Sequence, residues 1–531
     1  MSANATNLST ESIHGPRLVV GHLVVAIYGI VVLALVVHFV FYLRYALTAV
    51  QYPFELDYGE GIIWQQAMLI PSERMYGAIT RFPFIVFHYP PLYHLAVRAV
   101  AALGTDALVA GRGISLLCTL LTGGVVAALS YDVGGRHSGR ATGLIGSAVA
   151  GLTVFCYWPV VAWSPMMRVD MLAIMLSFFG VWLAVRSVRH PWLLYLAVLS
   201  FVLAVYTKQT AISAPLAVML VSLVADRRRT LQAYGLGLLL GLTGLLVMTW
   251  MTDGGFVRHI LFYNLNRFSL RAAVSSILEE WPQTFFLVAA LGGLAAGWRG
   301  LAGRPGCKNP ALFAQYLKQN PAARPMAMLT LYLIFATGML ATLGKSGAVL
   351  NYLIEWMCLW SVLIGVLVTS TLGPICAEAG EAGTTTVTGT RLLSASIVPI
   401  ALLAQIYIMP TARDYHGGDT ERTRQLAALT ARIRDAGRPV LSDDMVLLMK
   451  AGKQMPWEPA IFAELANTGR WDQRLILDKI SNLSFAFIVT HGHAGERTYD
   501  ERFTPGVDQA IQRAYPRTEE LGDLTLHLPP V

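Results

Sequence analysis

LVVGHLVVAIYGIVVLALVVHFVFYLRYALTAV, Leu18–Val50, is followed after Gln51–Phe54 by ELDYGEG, Glu55–Gly61. The first stretch is far longer than the apolar centre of a secretory signal and lacks a small-residue cleavage pattern, so it predicts a retained membrane span. The second gathers three carboxylates just past the end of that span. Charge is costly in hydrocarbon but cheap at its aqueous edge, so carboxylates gathered there mark a place for chemistry.

The rest of the chain repeats the first stretch. It is 55% hydrophobic and only 14% charged, with a mean hydropathy of +0.53, outside the usual range of soluble domains. A span needs about 20 apolar residues. On that ruler the sequence predicts a polytopic α-helical membrane protein with about eleven transmembrane helices. They fall near 18–48, 107–131, 140–163, 166–187, 191–206, 209–225, 230–251, 283–299, 326–343, 352–372 and 391–410. Only Thr207-Lys208-Gln209 separates the two short regions around it, so a broken or re-entrant arrangement is one option there. The net charge of +8 is concentrated in loops between apolar runs and reads as a topology signal, which excludes nucleic acid as a partner in favour of membrane lipids. Cys118, Cys156, Cys307, Cys358 and Cys376 are scattered singly and form neither a disulfide framework nor a zinc pattern.

Orientation follows from the basic loops. With the N-terminus cytoplasmic, Arg136 and Arg140, Arg186 and Arg189, Arg227-Arg228-Arg229, and the group Arg299, Arg304, Lys308, Lys318 and Arg324 all fall inside. The acidic heptapeptide and the C-terminus then lie outside the cytoplasmic (inner) membrane. Residues 1–410 are expected to form the transmembrane domain and 411–531 a small extracytoplasmic α/β domain. In the latter, Pro439–Ser442 and Phe485–Val489 read as strands, and Pro459–Asn467 and Asp472–Ile480 as amphipathic helices. That domain has no cysteine and is expected to be held by its own core alone. In the first outer loop, about 49–106, Tyr58–Leu69 and Tyr89–Leu103 read as interfacial helices at headgroup level.

Four groups of residues carry candidate chemistry. If a helix starts at Tyr58, Asp57 is its N-cap and Glu60 imitates a capping box, a structural job that competes with catalysis. Gly59 and Gly61 at a helix start suggest close approach of a backbone or ligand. Ser164-Pro165 reads as the cap and first residue of the fourth span, placing Arg168 and Asp170 in its first turns. Residues two apart face different ways, so each is expected to have its own partner. Lys208 and Lys345 are cations at the outer surface suited to phosphate, whereas Arg258, Arg267 and Arg271 suit lipid headgroups. Asn351 and Glu355 bring an amide and a carboxylate to the same surface, where they either grade sugar hydroxyls or bond helices together. Glycines 235–244 read as helix packing, His491-Gly492-His493 as a surface turn, and the sequons at Asn4 and Asn7 as cytoplasmic and silent.

Together these motifs resemble the C-type (GT-C) membrane glycosyltransferase superfold, in its bacterial branch related to protein mannosyltransferases and aminoarabinose transferases. The resemblance rests on Asp57 with Glu60, on HYPPLYH at His88–His94, similar to a Lys-Pro-Pro-Leu segment, and on Arg168-Val169-Asp170; it covers roughly 18–280. It implies an inverting transferase that moves a sugar from a polyprenyl-phosphate donor to a hydroxyl of a glycan, lipid or protein acceptor at the outer membrane face. Asp57 would be the general base, with Glu60 and Asp170 orienting the base or acceptor. His88 and Tyr89 stand where relatives carry the lysine, so the phosphate would turn to Lys208, Arg168, Arg267 or Lys345. No metal or other cofactor is expected. A transporter or flippase of lipid-linked sugar, or a silent glycan-binding relative, are the competing readings. Acidic groups at span ends and the lack of an internal repeat weigh against transport.

Overall fold

The computed structural model describes residues 14–135, 138–264, 267–279, 283–301, 309–380, 389–409 and 419–531. Arg136, Arg304, Cys307, Lys308, Asn4, Asn7 and the expected boundary at 410/411 lie outside the described residues.

Among the described residues, six helices are long and apolar enough to cross a bilayer: Leu23–Gln51, Ala107–Val133, Asp170–Ser187, Arg227–Met251, Pro321–Gly344 and Asn351–Cys376. The other expected span regions coincide with shorter apolar helices, Arg140–Cys156, Leu193–Thr207, Ser213–Ala225, Thr284–Arg299 and Ala395–Ile408. The chain is a multi-pass membrane protein. Side-chain caps set several helix starts. Asp106 accepts from the amides of Leu108 and Val109 at 3.0 and 3.2 Å, and Asp226 from that of Arg229 at 3.1 Å.

The Asn351–Gly380 helix is the axis of the bundle, packed on Thr284–Arg299, Arg140–Thr153 and Ala107–Val133. Small residues permit this. A Cβ at Gly365 would lie 2.6 Å from the carbonyl oxygen of Gly146, so the two backbones touch where only glycine fits. Around Lys208 the chain is broken: the Leu193–Thr207 helix stops, Lys208 is extended at φ −145° and ψ 117°, and helix resumes at Ser213.

Two expected helix starts are corrected. The helix in the acidic motif begins at Glu60, with Gly59 rather than Asp57 in the cap position. Ser164 ends a short helix, Trp158–Trp163, and the next begins at Asp170. The physical reason is that the acidic loop and the helices carrying Tyr42 and Ser115 claim residues 164–168 by hydrogen bonds. Glu60 accepts from the amide of Met167 at 2.8 Å, Ser115 Oγ donates to the carbonyl of Arg168 at 3.1 Å, and Ser164 Oγ shares a 2.8 Å hydrogen bond with Tyr42. These bonds hold residues 164–169 as a turn instead of a helical N-terminus.

The C-terminal segment carries a four-stranded sheet of β1 (Leu441–Ser442), β2 (Ile488–His491), β3 (Arg517–Leu521) and β4 (Leu524–Leu528) in the order β1-β2-β4-β3. β1 and β2 are parallel; the other pairings are antiparallel. Helices Pro459–Asn467 and Arg474–Ser481 lie where the amphipathic pattern placed them. The expectation of a self-contained core is corrected, because Ile79, Phe84 and Val86 of the first loop pack into one cluster with Trp457, Phe462 and Trp471. Phe84 also donates its amide to the carbonyl of Pro456 at 2.9 Å, and the Gln65 side chain both accepts from and donates to the backbone of Met455. Leaving those apolar loop residues in water would be unfavourable by about 1.5–3 kcal/mol each, which is why loop and C-terminal layer share a core.

Candidate active site

The site is built on a buried ion pair that the sequence reading did not single out. Arg112 lies within the apolar Ala107–Val133 helix, where an unpaired guanidinium would be very costly. It meets Glu60 bidentately, Nε to Oε1 at 2.8 Å and Nη2 to Oε2 at 2.6 Å. Its remaining donors reach the carbonyls of Ala49 and Phe54 at 3.1 and 2.6 Å. Both side chains are fully enclosed. The other lone pairs of Glu60 accept from the amides of Leu56 and Met167, each at 2.8 Å. Glu60 therefore has no access to a substrate. The geometry moves it from the catalytic role expected of it to that of a staple joining the first helix, the acidic loop and the 164–169 turn.

That staple presents Asp57. Its Oδ2 accepts from the amide of Gly59 at 3.1 Å and forms an ion pair with Arg168. Arg168 packs over the ring of Trp163 at 5.3 Å and against Gly59, where a Cβ would collide with its guanidinium. Gly61 has a similar constraint, since a Cβ there would lie 2.6 Å from the backbone of Met445 in the C-terminal layer. The expected close approach at both glycines is what the structure shows.

Asp170 has partners separate from that of Arg168, as expected, although the two residues do not share a helix. It accepts from Lys208 Nζ at 2.6 Å, Asn351 Nδ2 at 2.8 Å and Trp163 Nε1 at 2.9 Å, drawing together three distant parts of the chain. Lys208 also sits 4.3 Å from the ring centroid of Tyr352. Glu355, on the same helix as Asn351, accepts from the Tyr332 hydroxyl at 2.6 Å. Asp170, Asn351 and Glu355 line a small cleft of about 40 Å³.

Lys208 links this cleft to a larger cavity of about 410 Å³. His88, Tyr89, Arg168, Lys208, Arg267 and Lys345 all line it, so the expected cations converge. Asp57 is not among its lining residues; Arg168 is. The roof comes from the C-terminal layer, where Glu458 and Glu464 face the cavity, and sequence reasoning missed both. Glu464 binds Arg267, accepting from its amide at 2.8 Å and from Nε at 3.2 Å. Only a cavity brings residues so distant in sequence together, so no local pattern could have identified these two.

His88 is held through its carbonyl, which accepts from Gln209 and Asn264, each at 3.1 Å. Its ring lies 3.4 Å from Glu458 Oε2. Burial, aided by His259 and His94, pushes the His88 imidazole down to about 4, so it is neutral at pH 7. Burial pushes the Glu458 carboxyl up to about 8 against the pull of Arg168, so it is mainly protonated there. The contact is between two neutral groups. The expected surface turn holds at Gly492, φ 69°, and at the exposed His493, while His491 ends β2 and is tied to the buried Asp443 at 2.9 Å, a carboxylate that Arg502 also reaches at 2.7 Å.

A groove beside the cavity, about 390 Å³, shares Gln209 and Ile260 with it. Its walls are apolar, including Val198, Phe201, Val205, Leu242 and Leu245. Gly237 and Gly241, part of the glycine run, lie along it.

No family model matches the chain, and no curated protein matches it in sequence. Solved structures do. ArnT from Cupriavidus metallidurans bound to undecaprenyl phosphate is similar with a TM-score of 0.56 at 13% identity, over 95% of this chain and 99% of that one. The apo state of the same protein gives 0.50 at 14% identity, over 93% of this chain and 99% of the other. The Archaeoglobus fulgidus oligosaccharyltransferase tethered to an acceptor peptide gives 0.51 at 12% identity, over 90% of this chain and 72% of that one. Over nearly its whole length, the chain has the fold of the C-type membrane glycosyltransferases.

Proposed function

We propose that this protein is an inverting glycosyltransferase of the cytoplasmic membrane, moving a sugar from a polyprenyl-phosphate donor to an acceptor hydroxyl at the outer face. One observation carries the reading: a cavity lined by Arg168, Lys208 and Lys345 adjoins an apolar groove at Gln209 and Ile260. Cations suit a phosphate and the groove suits its isoprenoid tail. The likeness to a protein solved with undecaprenyl phosphate supports the same ligand class here.

The chemistry follows from the Arg168–Asp57 pair. Arg168 neutralises Asp57 through their ion pair. A docking carrier phosphate offers the guanidinium a second anion, and the shift frees the Asp57 carboxylate to take the acceptor proton. The acceptor oxygen bonds to C1 of the sugar as the C1–oxygen bond to phosphate breaks. The electron pair leaves on the polyprenyl phosphate, whose growing charge Lys208, Arg168 and Lys345 offset. One displacement inverts the anomeric centre. Glu60 and Asp170 fix the base and the lysine rather than touch the acceptor.

Topology supports this arrangement when the N-terminus is cytoplasmic, since the acidic loop and the segment 411–531, taken as an extracytoplasmic domain, then share the outer side with about eleven spans between. The test is transfer by purified full-length protein from a set of polyprenyl-phosphate sugars, with product anomers read by NMR. Inverted product supports the reading. Movement of carrier across liposomes without transfer would replace it with a flippase.

A further inference from the structure

We propose that Glu458 is a sugar-contacting residue, its free carboxyl oxygen binding a hydroxyl of the sugar brought into the cavity beside His88. This rests on the transferase reading and adds a specificity contact from the C-terminal layer.

Glu458 is 4% exposed, and its Oε2 has no hydrogen-bond partner among the described residues. His88 Nε2 is 3.4 Å away but makes no hydrogen bond with it. A buried polar oxygen left without a partner is unfavourable by about 1–3 kcal/mol, and native interiors rarely leave one. Here the oxygen belongs to a residue lining the cavity that Arg168 and Lys208 also line. The groups facing Glu458 are the neutral His88, Arg168, the phenols of Tyr58 and Tyr89, and the backbone amide of Ile461, which bonds the carboxyl but leaves Oε2 free. Arg168 is committed to Asp57, and neither phenol bonds Glu458: Tyr58 accepts from the amide of Ala460 at 3.0 Å. With burial holding its proton to about pH 8, the Glu458 carboxyl offers both a donor and an acceptor. That pair matches an alcohol, which also gives one hydrogen and accepts another, better than it matches a phosphate already served by the cations.

The hydroxyl could belong to the donor sugar or to a glycan acceptor, and the same experiment separates them. Full-length wild type, Glu458→Gln and Glu458→Ala are titrated with undecaprenyl phosphate, bare and carrying a hexose, between about pH 6 and 9, and KM is measured for donor and acceptor. The Gln variant keeps the size and neutrality of the protonated acid. If the donor sugar is bound, wild type prefers the sugar-loaded carrier by about 3–10-fold, as one hydrogen bond allows. That preference persists above about pH 8, where the ionised carboxyl still accepts from a hydroxyl. Gln keeps it at every pH, and Ala loses it. If the acceptor is bound, the same pattern appears in the acceptor KM alone. Unchanged preference and KM in the Ala variant would overturn the proposal while leaving the transferase reading intact. Failure of wild type to bind either carrier would instead remove the transferase reading and this contact together.

Discussion

Arg168 is ion-paired with Asp57 and at the same time lines the cavity from which Asp57 is withdrawn. The base expected from sequence is thus masked by the nearest cation. Under the proposed transferase reading, a phosphate that draws the guanidinium toward itself would release the Asp57 carboxylate as a proton acceptor.

Asp57→Asn should therefore lose transfer by about 10²–10⁴-fold with the fold intact. Arg168→Lys keeps the charge but loses the planar fork, so donor KM should rise while some turnover survives. Steady-state kinetics beside a thermal unfolding control decides it. Equal turnover in Asp57→Asn would remove that residue from the mechanism.

Glu60→Gln or Arg112→Met should act on stability. Each strands one member of a fully enclosed pair, and such changes are unfavourable by about 3–5 kcal/mol. The double variant Arg112→Met with Glu60→Met should recover part of the loss. Unfolding in detergent, followed by tryptophan fluorescence, would show it; single variants as stable as wild type would refute the staple.

The membrane fold was legible because long apolar runs have few alternatives, whereas the separate partners of Arg168 and Asp170 were expected from a shared helix that the structure does not have. Glu60 was misassigned because its partner, Arg112, sits inside an apolar run of the next helix, and the pairing exists only in three dimensions. An arginine within such a run was the available signal, since it must find an anion. Glu458 had no such signal. β3 and β4 were both missed: β3, Arg517–Leu521, is a largely exposed edge strand of charged residues without alternation, whereas β4, Leu524–Leu528, alternates over only five residues.

The groove yields a test at a distance from the chemistry. Leu242 is 46% exposed on a membrane-spanning helix, so the apolar Leu242→Trp should fold, yet it fills space where an isoprenoid tail would lie. Displacing even two or three methylenes forfeits about 2 kcal/mol, so donor KM should rise on the order of 30-fold. A short-chain polyprenyl donor that never reaches Leu242 should be unaffected. A uniform effect on both donors would place the tail elsewhere.

Stability should also depend on pH through Glu458. Its ordinary value is 4.5, and burial raises it to about 8 in the folded protein. Between these values the folded state holds a proton that the unfolded chain has released, so stability falls as pH rises across that window and levels off above it. Glu458→Gln binds no proton in either state and should flatten that part of the slope. Glu55 and Asp444, also raised by burial, keep the remainder. Melting temperatures of the two proteins at about pH 5, 6.5 and 8.5 should draw apart in favour of the Gln variant as pH rises. Curves that stay parallel would mean that Glu458 is ionised well below pH 8, and would leave the free oxygen facing the cavity as a carboxylate able only to accept.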